Sequence, residues 1–376
     1  MSGAETLETI TEVETTGNRR GTETLVGKTT EELVALFLDR GAPAFRGKQL
    51  AQALYQRFAR EWEEITDLPR TLKEEMAAGF PLAPCRLRSA SAAPDGTVKY
   101  LLTMPDDEVI ESVFLPYEGR TSVCISSQVG CPMACSFCAT GTEGLARNLT
   151  AGEIVDQVLL MQSQHRDNRI THVVLMGMGE PLLNYPNVLK AVGLLNREVG
   201  IAMRHITLST VGVVPNIEKL AEEDLQITLA VSLHAPNDTL RSELVPLNDR
   251  YPIARLMEAC RHYVNRTRRR ITFEYVLLSG VNDTEKEAHE LGQLLQNQPL
   301  VSVNTIPYNT TEVAARYRRP TAEASRRFRE IVASYGVTIT QRQERGHRIA
   351  AACGQLKRSA LRPGSAMRPL PVLSGA

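Results

Sequence analysis

The sequence predicts an α/β protein, a partial (β/α)6 barrel of the TIM type preceded by a small helical domain. From residue 121 onward, apolar strand-like runs alternate with helix-like stretches, and this alternation is typical of a parallel sheet with right-handed crossovers. Six βα units fit the chain, whereas a closed barrel needs eight. The strand-like runs are 121–126, 172–176, 205–209, 226–233, 271–278, 301–306 and 337–341.

The helices of this alternating region are indicated by apolar residues that recur every three or four positions. They separate the strand-like runs from one another. They are predicted at about 151–165, 187–198, 216–222, 253–265, 283–297 and 321–335. In such folds the chemistry gathers at the carboxyl ends of the strands, and most of the motifs below fall there.

The residues before the barrel divide into three parts. Residues 1–21 are polar without periodicity, which predicts a disordered tail. Residues 22–82 show helical periodicity interrupted by proline, which predicts an accessory domain of about three short helices. Residues 83–120 alternate between apolar and polar, which predicts a β-extension of the main sheet. The barrel itself is expected over 121–345.

Composition is that of an ordinary globular protein. Of the 376 residues, 43% are hydrophobic and 23% are charged, and the formal net charge is zero. No apolar run approaches the roughly 20 residues that span a bilayer, and the N-terminal residues lack the apolar segment of a secretory signal. We therefore expect a cytoplasmic protein without a membrane partner.

The seven cysteines argue for metal or redox chemistry. Their number is odd, and four of them fall within residues 124–138, which is unlike a disulfide framework. Cys131, Cys135 and Cys138 form a C-x3-C-x2-C triplet just after the first barrel strand. Three thiolates on one tight loop can hold three irons of a cubane [4Fe-4S] cluster and leave the fourth iron open. The alternative is a zinc site completed by Cys124 or His165.

Further motifs give the chain a family resemblance. The triplet is the hallmark of the radical S-adenosylmethionine (SAM) superfamily, and from about residue 25 to Leu356 the chain resembles the RNA adenine carbon-2 methyltransferases of the RlmN type. The resemblance rests on five motifs in order: Ser126-Ser127-Gln128-Val129-Gly130-Cys131, Arg147-Asn148-Leu149-Thr150, Met176-Gly177-Met178-Gly179-Glu180-Pro181, Ser232-Leu233-His234-Ala235-Pro236-Asn237 and Ala351-Ala352-Cys353-Gly354-Gln355-Leu356.

The resemblance implies a set of SAM contacts. Gly179 and Glu180 would hold the amino end of SAM, because glycine lets the backbone approach a ligand and glutamate accepts from an ammonium group. The positions implied for the ribose, carboxylate and adenine are Ser209, Ser232, Leu233, His234 and Asn309. The alternatives are that Gly179-Glu180-Pro181 is only a tight turn and that His234 is a structural group.

Three further residues receive catalytic roles from the resemblance. Cys353 would become an S-methylcysteine that supplies the transferred carbon, Cys124 would resolve the covalent intermediate by a disulfide with Cys353, and Glu111 would be the general base. Two SAM molecules are used per turnover. The alternatives are that Cys353 is a buried inert thiol, which its neighbours Gly354 and Gln355 do not favour, that Cys124 is a core residue and that Glu111 is a solvent-facing acid. Cys85 and Cys260 are interpreted as structural.

The same resemblance implies the partners and the segment boundaries. The implied substrates are 23S rRNA, at adenosine 2503, and tRNA, at adenosine 37. The implied electron donor is a reductant such as flavodoxin, and the protein is expected to be a monomer. Residues 346–356 form the catalytic C-terminal segment and 357–376 a flexible basic tail. The chain departs from the family pattern at Arg348 and Ala350, where acidic residues are usual.

Three other functions compete with carbon-2 methylation. The related class that methylates carbon 8 of the same rRNA adenosine shares the cysteines and Asn-Asp-Arg-Tyr-Pro-Ile at 248–253, but Glu180-Pro181-Leu182-Leu183-Asn184 favours the carbon-2 enzyme. A radical enzyme acting on protein or small molecules would have no use for Cys124 and Cys353. An RNA-binding protein with a structural metal is the third alternative.

Overall fold

Three helices precede the sheet, as the periodicity predicts. The computed structural model describes residues 24–310, 314–343, 345–346, 349, 351 and 354–356. The helices are α1 (Thr30–Leu38), α2 (Ala44–Tyr55) and α3 (Arg70–Gly79). Pro43 and Pro69 stand at the N-caps of α2 and α3, where a missing N–H leaves no helical bond unmade. The predicted tails over 1–21 and 357–376, and also Cys353, Arg348 and Ala350, lie outside the described residues.

Four antiparallel strands form one side of the main sheet. They are β1 (Arg86–Ala92), β2 (Val98–Thr103), β3 (Val109–Tyr117) and β4 (Arg120–Cys124), each paired with the next. All residues of β3 from Val109 to Leu115 are buried, because β2 and β4 flank it. The β-extension is thus continuous with the barrel through β4.

A short hairpin follows β4 and frames the cysteine loop. Its strands are β5 (Gln128–Gly130) and β6 (Leu145–Asn148), and they pair antiparallel as a separate sheet. Gly130 has a φ of 80°, and a Cβ there would lie 2.0 Å from the carbonyl oxygen of Gly144. A glycine is therefore required where the chain turns into the cysteine loop.

The barrel strands run parallel to one another in chain order. After β4 they are β7 (His172–Leu175), β8 (Ile206–Thr210), β9 (Thr228–Ser232), β10 (Ile271–Leu277), β11 (Val301–Pro307) and β12 (Ile339–Gln341). Over the described part of the chain, the ten-stranded sheet starts at β1 and ends at β12, so it does not close on itself. The predicted open barrel with parallel strands is confirmed.

Helices connect the parallel strands as predicted. They are α4 (Ala151–Gln164), α5 (Tyr185–Arg197), α6 (Val214–Ala221), α8 (Ile253–Thr267), α9 (Glu285–Leu295) and α10 (Ala322–Ser334), with a further short helix α7 (Asp238–Leu244) after β9. The apolar faces of these helices pack on the sheet in one continuous core. Among the described residues, no helix is both long and apolar enough to cross a membrane.

Candidate active site

One cavity of about 160 Å³ lies at the carboxyl ends of the parallel strands, and we call it the cofactor cavity. All seven parallel strands, from β4 to β12, supply its wall with residues near their carboxyl ends or in the loops that follow. The residues of its lining that the sequence singled out are Cys131, Cys135, Cys138, Gly179, Glu180, Ser209, Ser232 and His234. The fold therefore brings together eight of the predicted site residues, which are up to 103 residues apart in the sequence.

The cysteine loop is held in shape by its own backbone. The Cys131 N–H donates to the Gly144 carbonyl at 2.9 Å, and the Cys138 N–H donates to the Cys135 carbonyl at 3.1 Å. Burial, and next the neighbouring Cys135, raise the pKa of the Cys131 thiol well above its usual value. Thiols crowded in this way need a cation to become thiolates, which is what an iron-sulfur cluster provides.

The zinc alternative does not fit the geometry. Among the described residues, no group of three or more Cys, His, Asp or Glu side chains converges closely enough to hold a single metal ion. His165, one of the two suggested fourth ligands, stacks on Phe114 with ring centroids 3.7 Å apart. Its Nε2 shares a hydrogen bond of 2.7 Å with the Tyr100 hydroxyl. Three thiols spread around one cavity suit the larger cubane cluster better than one zinc ion.

The Gly179-Glu180 turn is more than a tight turn. Gly179 has a φ of 105°, and a Cβ there would lie 2.7 Å from the Cβ of Gln128. The carboxylate of Glu180 accepts from the N–H groups of Leu182 at 3.0 Å and Val211 at 2.8 Å. Burial raises the pKa of Glu180 to about 7 against the lowering effect of these bonds. A buried carboxyl aimed at the cavity wall is suited to meet a cationic ligand group.

Ser232 and His234 face the cofactor cavity, and Leu233 does not. His234 has a φ of 60°, and its Nδ1 accepts from the Val276 N–H at 3.1 Å. Burial, assisted by Arg241, lowers the pKa of His234 to about 3, so its ring is neutral. The Leu233 side chain is fully buried and absent from the lining, while its carbonyl accepts from Arg241 Nε at 3.1 Å. The Leu233 N–H donates to the Glu274 carbonyl at 3.0 Å, so the structure does not bring the predicted contact Leu233 into the cofactor cavity.

A second cavity adjoins the first, and we call it the Cys124 cavity. Cys124 at the end of β4 lines it together with Asn309, Met176, Arg342, Ala351 and Leu356. Asn309 therefore lies beside the cofactor cavity rather than in its lining. Within the described residues, Oδ1 of Asn309 is buried and has no hydrogen-bond partner, which marks it as an acceptor available to a ligand.

The described neighbours of Cys353 contact both cavities. The Gly354 carbonyl accepts from the Ala139 N–H at 2.9 Å, and the Leu356 carbonyl accepts from the Thr140 hydroxyl at 2.6 Å. Gly354 lines the cofactor cavity, and Ala351 lines the Cys124 cavity. The described residues of the C-terminal segment are thus bonded to the cysteine loop at Ala139 and Thr140, and Ala351 lines the same cavity as Cys124.

Glu111 occupies the middle of β3 and is not a solvent-facing acid. Its side chain is 1% exposed and pairs with Lys99 Nζ at 3.0 Å. Side chains alternate along a strand, so Glu111 shares a sheet face with Val113, which is directly opposite Cys124. Glu111 lines neither cavity, although it lies on the same face of the sheet as Cys124.

Sequence reasoning missed two charged residues of the site. Glu274 on β10 is buried in the lining of the cofactor cavity, burial raises its pKa, and its carboxylate accepts from Asn304 Nδ2 at 3.2 Å. Arg342 lines both cavities and donates to the Met176 sulfur at 3.2 Å. A carboxylate within the apolar run Ile271–Leu277 was the available signal for Glu274.

Comparisons with known proteins agree with this geometry. Residues 125–292 match the model of the radical SAM superfamily, and residues 24–80 match that of the ribosomal RNA large subunit methyltransferase N-terminal domain. The chain is 50% identical to a probable dual-specificity RNA methyltransferase RlmN of Thermosynechococcus vestitus, covering 90% of this chain and 99% of the relative. A similarly named protein of Microcystis aeruginosa is 47% identical, covering 90% and 99%.

A solved structure extends the match to three dimensions. The crystal structure of a radical SAM methyltransferase from Sphaerobacter thermophilus matches with a TM-score of 0.86 and 46% identity, covering 89% of this chain and 98% of that one. The radical SAM family uses a [4Fe-4S] cluster and SAM, and both suit the cysteine loop and the cavity beside it. The chain belongs to the RlmN family of radical SAM RNA methyltransferases.

Proposed function

We propose that the protein methylates carbon 2 of adenosine, at adenosine 2503 of 23S rRNA and at adenosine 37 of tRNA, through an S-methylated Cys353 and a transient disulfide. One observation supports this most strongly. The cofactor cavity and the Cys124 cavity adjoin, and the described residues on either side of Cys353 line one each. A thiol between them would meet both the SAM site and a second thiol.

The cofactor cavity accounts for binding and activation of SAM. Cys131, Cys135 and Cys138 would hold the cluster, which supplies the electron for reductive cleavage of SAM. Glu180 offers its carboxylate to the ammonium group, and Ser209 and Ser232 offer hydroxyls. Asn309, whose Oδ1 lacks a partner among the described residues, offers an acceptor to the exocyclic amine of the adenine.

The protein has to supply the carbon because the target has no nucleophilic lone pair. Carbon 2 of adenine is electron-poor, so direct displacement at the sulfonium methyl is closed to it. A methyl group carried by Cys353 can instead be made reactive and added to the ring. Release then requires a thiol to attack the Cys353 sulfur, and Cys124 at the end of β4 is the candidate.

Glu111 is the proposed base that removes the ring proton. Its support is the shared sheet face with Cys124, together with burial that keeps competing water away. The ion pair with Lys99 at 3.0 Å fixes the position of the Glu111 carboxylate. Proton abstraction then requires the carboxylate to be within hydrogen-bond reach of the bound base.

The helices α1–α3 are proposed to contact the RNA. Their support is the matching N-terminal domain model and their fixed attachment to the barrel, where Lys190 of α5 pairs with Glu32 of α1 at 2.8 Å. Helix α2 carries the exposed residue Phe45. The guanidinium carbon of Arg46 lies over the Phe45 ring, 4.6 Å from its centroid. Such pairs suit stacking on bases and contact with phosphates. Flavodoxin, or a similar low-potential donor, is proposed as the reductant.

The test is methylation by the purified holoenzyme under anaerobic conditions. Unmodified 23S rRNA fragments and tRNA are incubated with SAM and a reductant, digested to nucleosides, and analysed by mass spectrometry that separates 2-methyladenosine from 8-methyladenosine. We expect 2-methyladenosine from both RNAs, and none with Cys353→Ser. Formation of 8-methyladenosine, or equal product from the Cys353→Ser variant, would refute the proposal.

A further inference from the structure

A fully buried arginine lies behind the wall of the cofactor cavity. Arg241 on α7 is 1% exposed and is one of the largest side chains in the protein with almost no exposure. Its guanidinium donates to four uncharged oxygens, at distances from 2.6 to 3.2 Å. These are the carbonyls of Val211, Ser232 and Leu233 and the side-chain Oδ1 of Asn248.

These bonds join the strand ends that face the ligand. Val211 follows β8, Ser232 ends β9 and Leu233 follows it, so one side chain fixes the spacing of two neighbouring strands. The Val211 N–H donates in turn to Glu180. Arg241 thus holds the backbone of Ser232 and that of Val211, the residue whose N–H bonds to the Glu180 carboxylate.

In the part of the chain that the structure describes, no carboxylate forms a direct ion pair with the Arg241 guanidinium. A buried cation without an anion is strongly disfavoured, and such residues are usually paired. The carboxylate of Asp238 on the same helix offsets part of the burial of Arg241, while its Oδ1 accepts from the N–H of Ile253 at 2.8 Å. The thiol of Cys135 is the first electrostatic partner that offsets the burial of Arg241. The Ser136 N–H also bonds to the Leu244 carbonyl, which fastens the cysteine loop to α7.

We propose that Arg241 is a positioning residue whose buried positive charge raises the reduction potential of the cluster held by Cys131, Cys135 and Cys138. This deepens the proposed function and rests on the cluster assigned there, not on which carbon is methylated. Reduction adds one electron and no proton to the cluster, so its net negative charge grows by one. A fixed cation in a region of low dielectric stabilises the reduced form more than the oxidised form.

The test compares variants of the reconstituted protein by redox titration followed by electron paramagnetic resonance, without RNA. Arg241→Gln removes the charge and keeps an amide donor, and Arg241→Met replaces the guanidinium by an apolar chain of similar length. Arg241→Lys keeps the charge but has fewer donors. The matched control is Arg269→Gln. Arg269 also donates to a backbone carbonyl, that of Ile227 at 3.2 Å, but Ile227 precedes the first residue of β9 and so lies at the end of the strand away from the cavity.

We expect the Gln and Met variants to be at least tenfold harder to reduce, a fall in midpoint potential of about 59 mV for one electron. Arg241→Lys should remain closer to the wild type, and Arg269→Gln should match it. An unchanged potential in whichever neutral variant folds and binds a full complement of iron would overturn the proposal. So would an equal fall in Arg241→Lys. If the wild-type chain itself binds no cluster, it is the proposed function that fails.

Discussion

The carboxylate of Glu180 accepts a hydrogen bond of 2.8 Å from the backbone N–H of Val211, so the turn after β7 is tied to the end of β8. This bond orients one carboxylate oxygen, and the bond from Leu182 orients the other. The single buried carboxyl that we assign to the SAM ammonium group is therefore held in place before any ligand arrives. Such preorganisation lowers the entropy lost on binding.

The ionisation of Glu180 should make ligand binding depend on pH. Burial raises its pKa from 4.5 to about 7, so the folded protein holds the proton more tightly than the unfolded chain. The resulting stabilisation is fully present below about pH 4.5 and is lost as the pH rises through 7. Attraction for an ammonium group has the opposite dependence, because it needs the carboxylate.

We expect the affinity for S-adenosylhomocysteine to rise roughly tenfold from pH 6 to pH 8, because the ionised fraction of Glu180 rises by about that factor. A tenfold change corresponds to about 1.4 kcal/mol of binding free energy. Glu180→Gln should bind more weakly and should not show the rise. Isothermal titration calorimetry at several pH values measures both. A wild-type affinity that does not change with pH would contradict the assignment of Glu180 to the ammonium group.

Gly179 should tolerate no side chain. A Cβ would meet Gln128 at 2.7 Å and would also be strained by a φ of 105°. We expect Gly179→Ala to weaken SAM binding at least tenfold. Gly119→Ala is the matched control, since Gly119 has a φ of 75° with nothing within 4 Å of the added methyl. It should lose about 1 kcal/mol of stability and no affinity.

The ion pair between Glu111 and Lys99 allows a base to be distinguished from a structural residue. Either single variant, Glu111→Gln or Lys99→Met, leaves a largely buried charge without this partner and should lose roughly 3 kcal/mol of stability. The double variant should regain much of that loss in chemical denaturation. If Glu111 is the base, the double variant remains inactive. Restored methylation in the double variant would assign Glu111 a structural role alone.

Cys124 should be needed for release but not for attachment. We expect Cys124→Ala to accumulate protein bound covalently to RNA, visible as a shifted band on a denaturing gel. Cys260→Ala serves as the control, because Cys260 is equally buried on α8 and lines neither cavity. Normal turnover by Cys124→Ala would exclude the resolving role.

The residues that sequence reasoning located best are those whose chemistry is local. The cysteine triplet and Gly179-Glu180 are recognisable from spacing alone, and both line the cofactor cavity. Leu233 shows the limit of motif matching, because it lies after the end of β9 with its side chain fully buried, whereas Ser232 and His234 line the cavity. The left-handed φ of 60° at His234 is a local backbone feature that no periodic pattern predicts.

Other features depend on tertiary contacts that no local pattern carries. In the sequence Arg241 is indistinguishable from an ordinary helix residue. Its role depends on hydrogen bonds to Val211 after β8 and to Ser232 at the end of β9, which only the tertiary fold brings near it. Arg342 directly follows β12, and it lines both cavities because the sheet brings the end of β12 beside the ends of the other parallel strands. The β5–β6 hairpin consists of strands of three and four residues, too short for periodicity to reveal them.

The methylation state of Cys353 tests the central proposal most directly. The protein is made in cells that supply SAM, purified anaerobically and digested. Mass spectrometry is then applied to the peptide that contains Cys353. The Cys131→Ala variant, which lacks one of the three cluster ligands, is analysed in parallel. We expect one added methyl group on the Cys353 sulfur of the wild-type chain and none on Cys124, Cys85 or Cys260. An unmodified Cys353 in protein that carries its cluster and turns over would contradict the proposal.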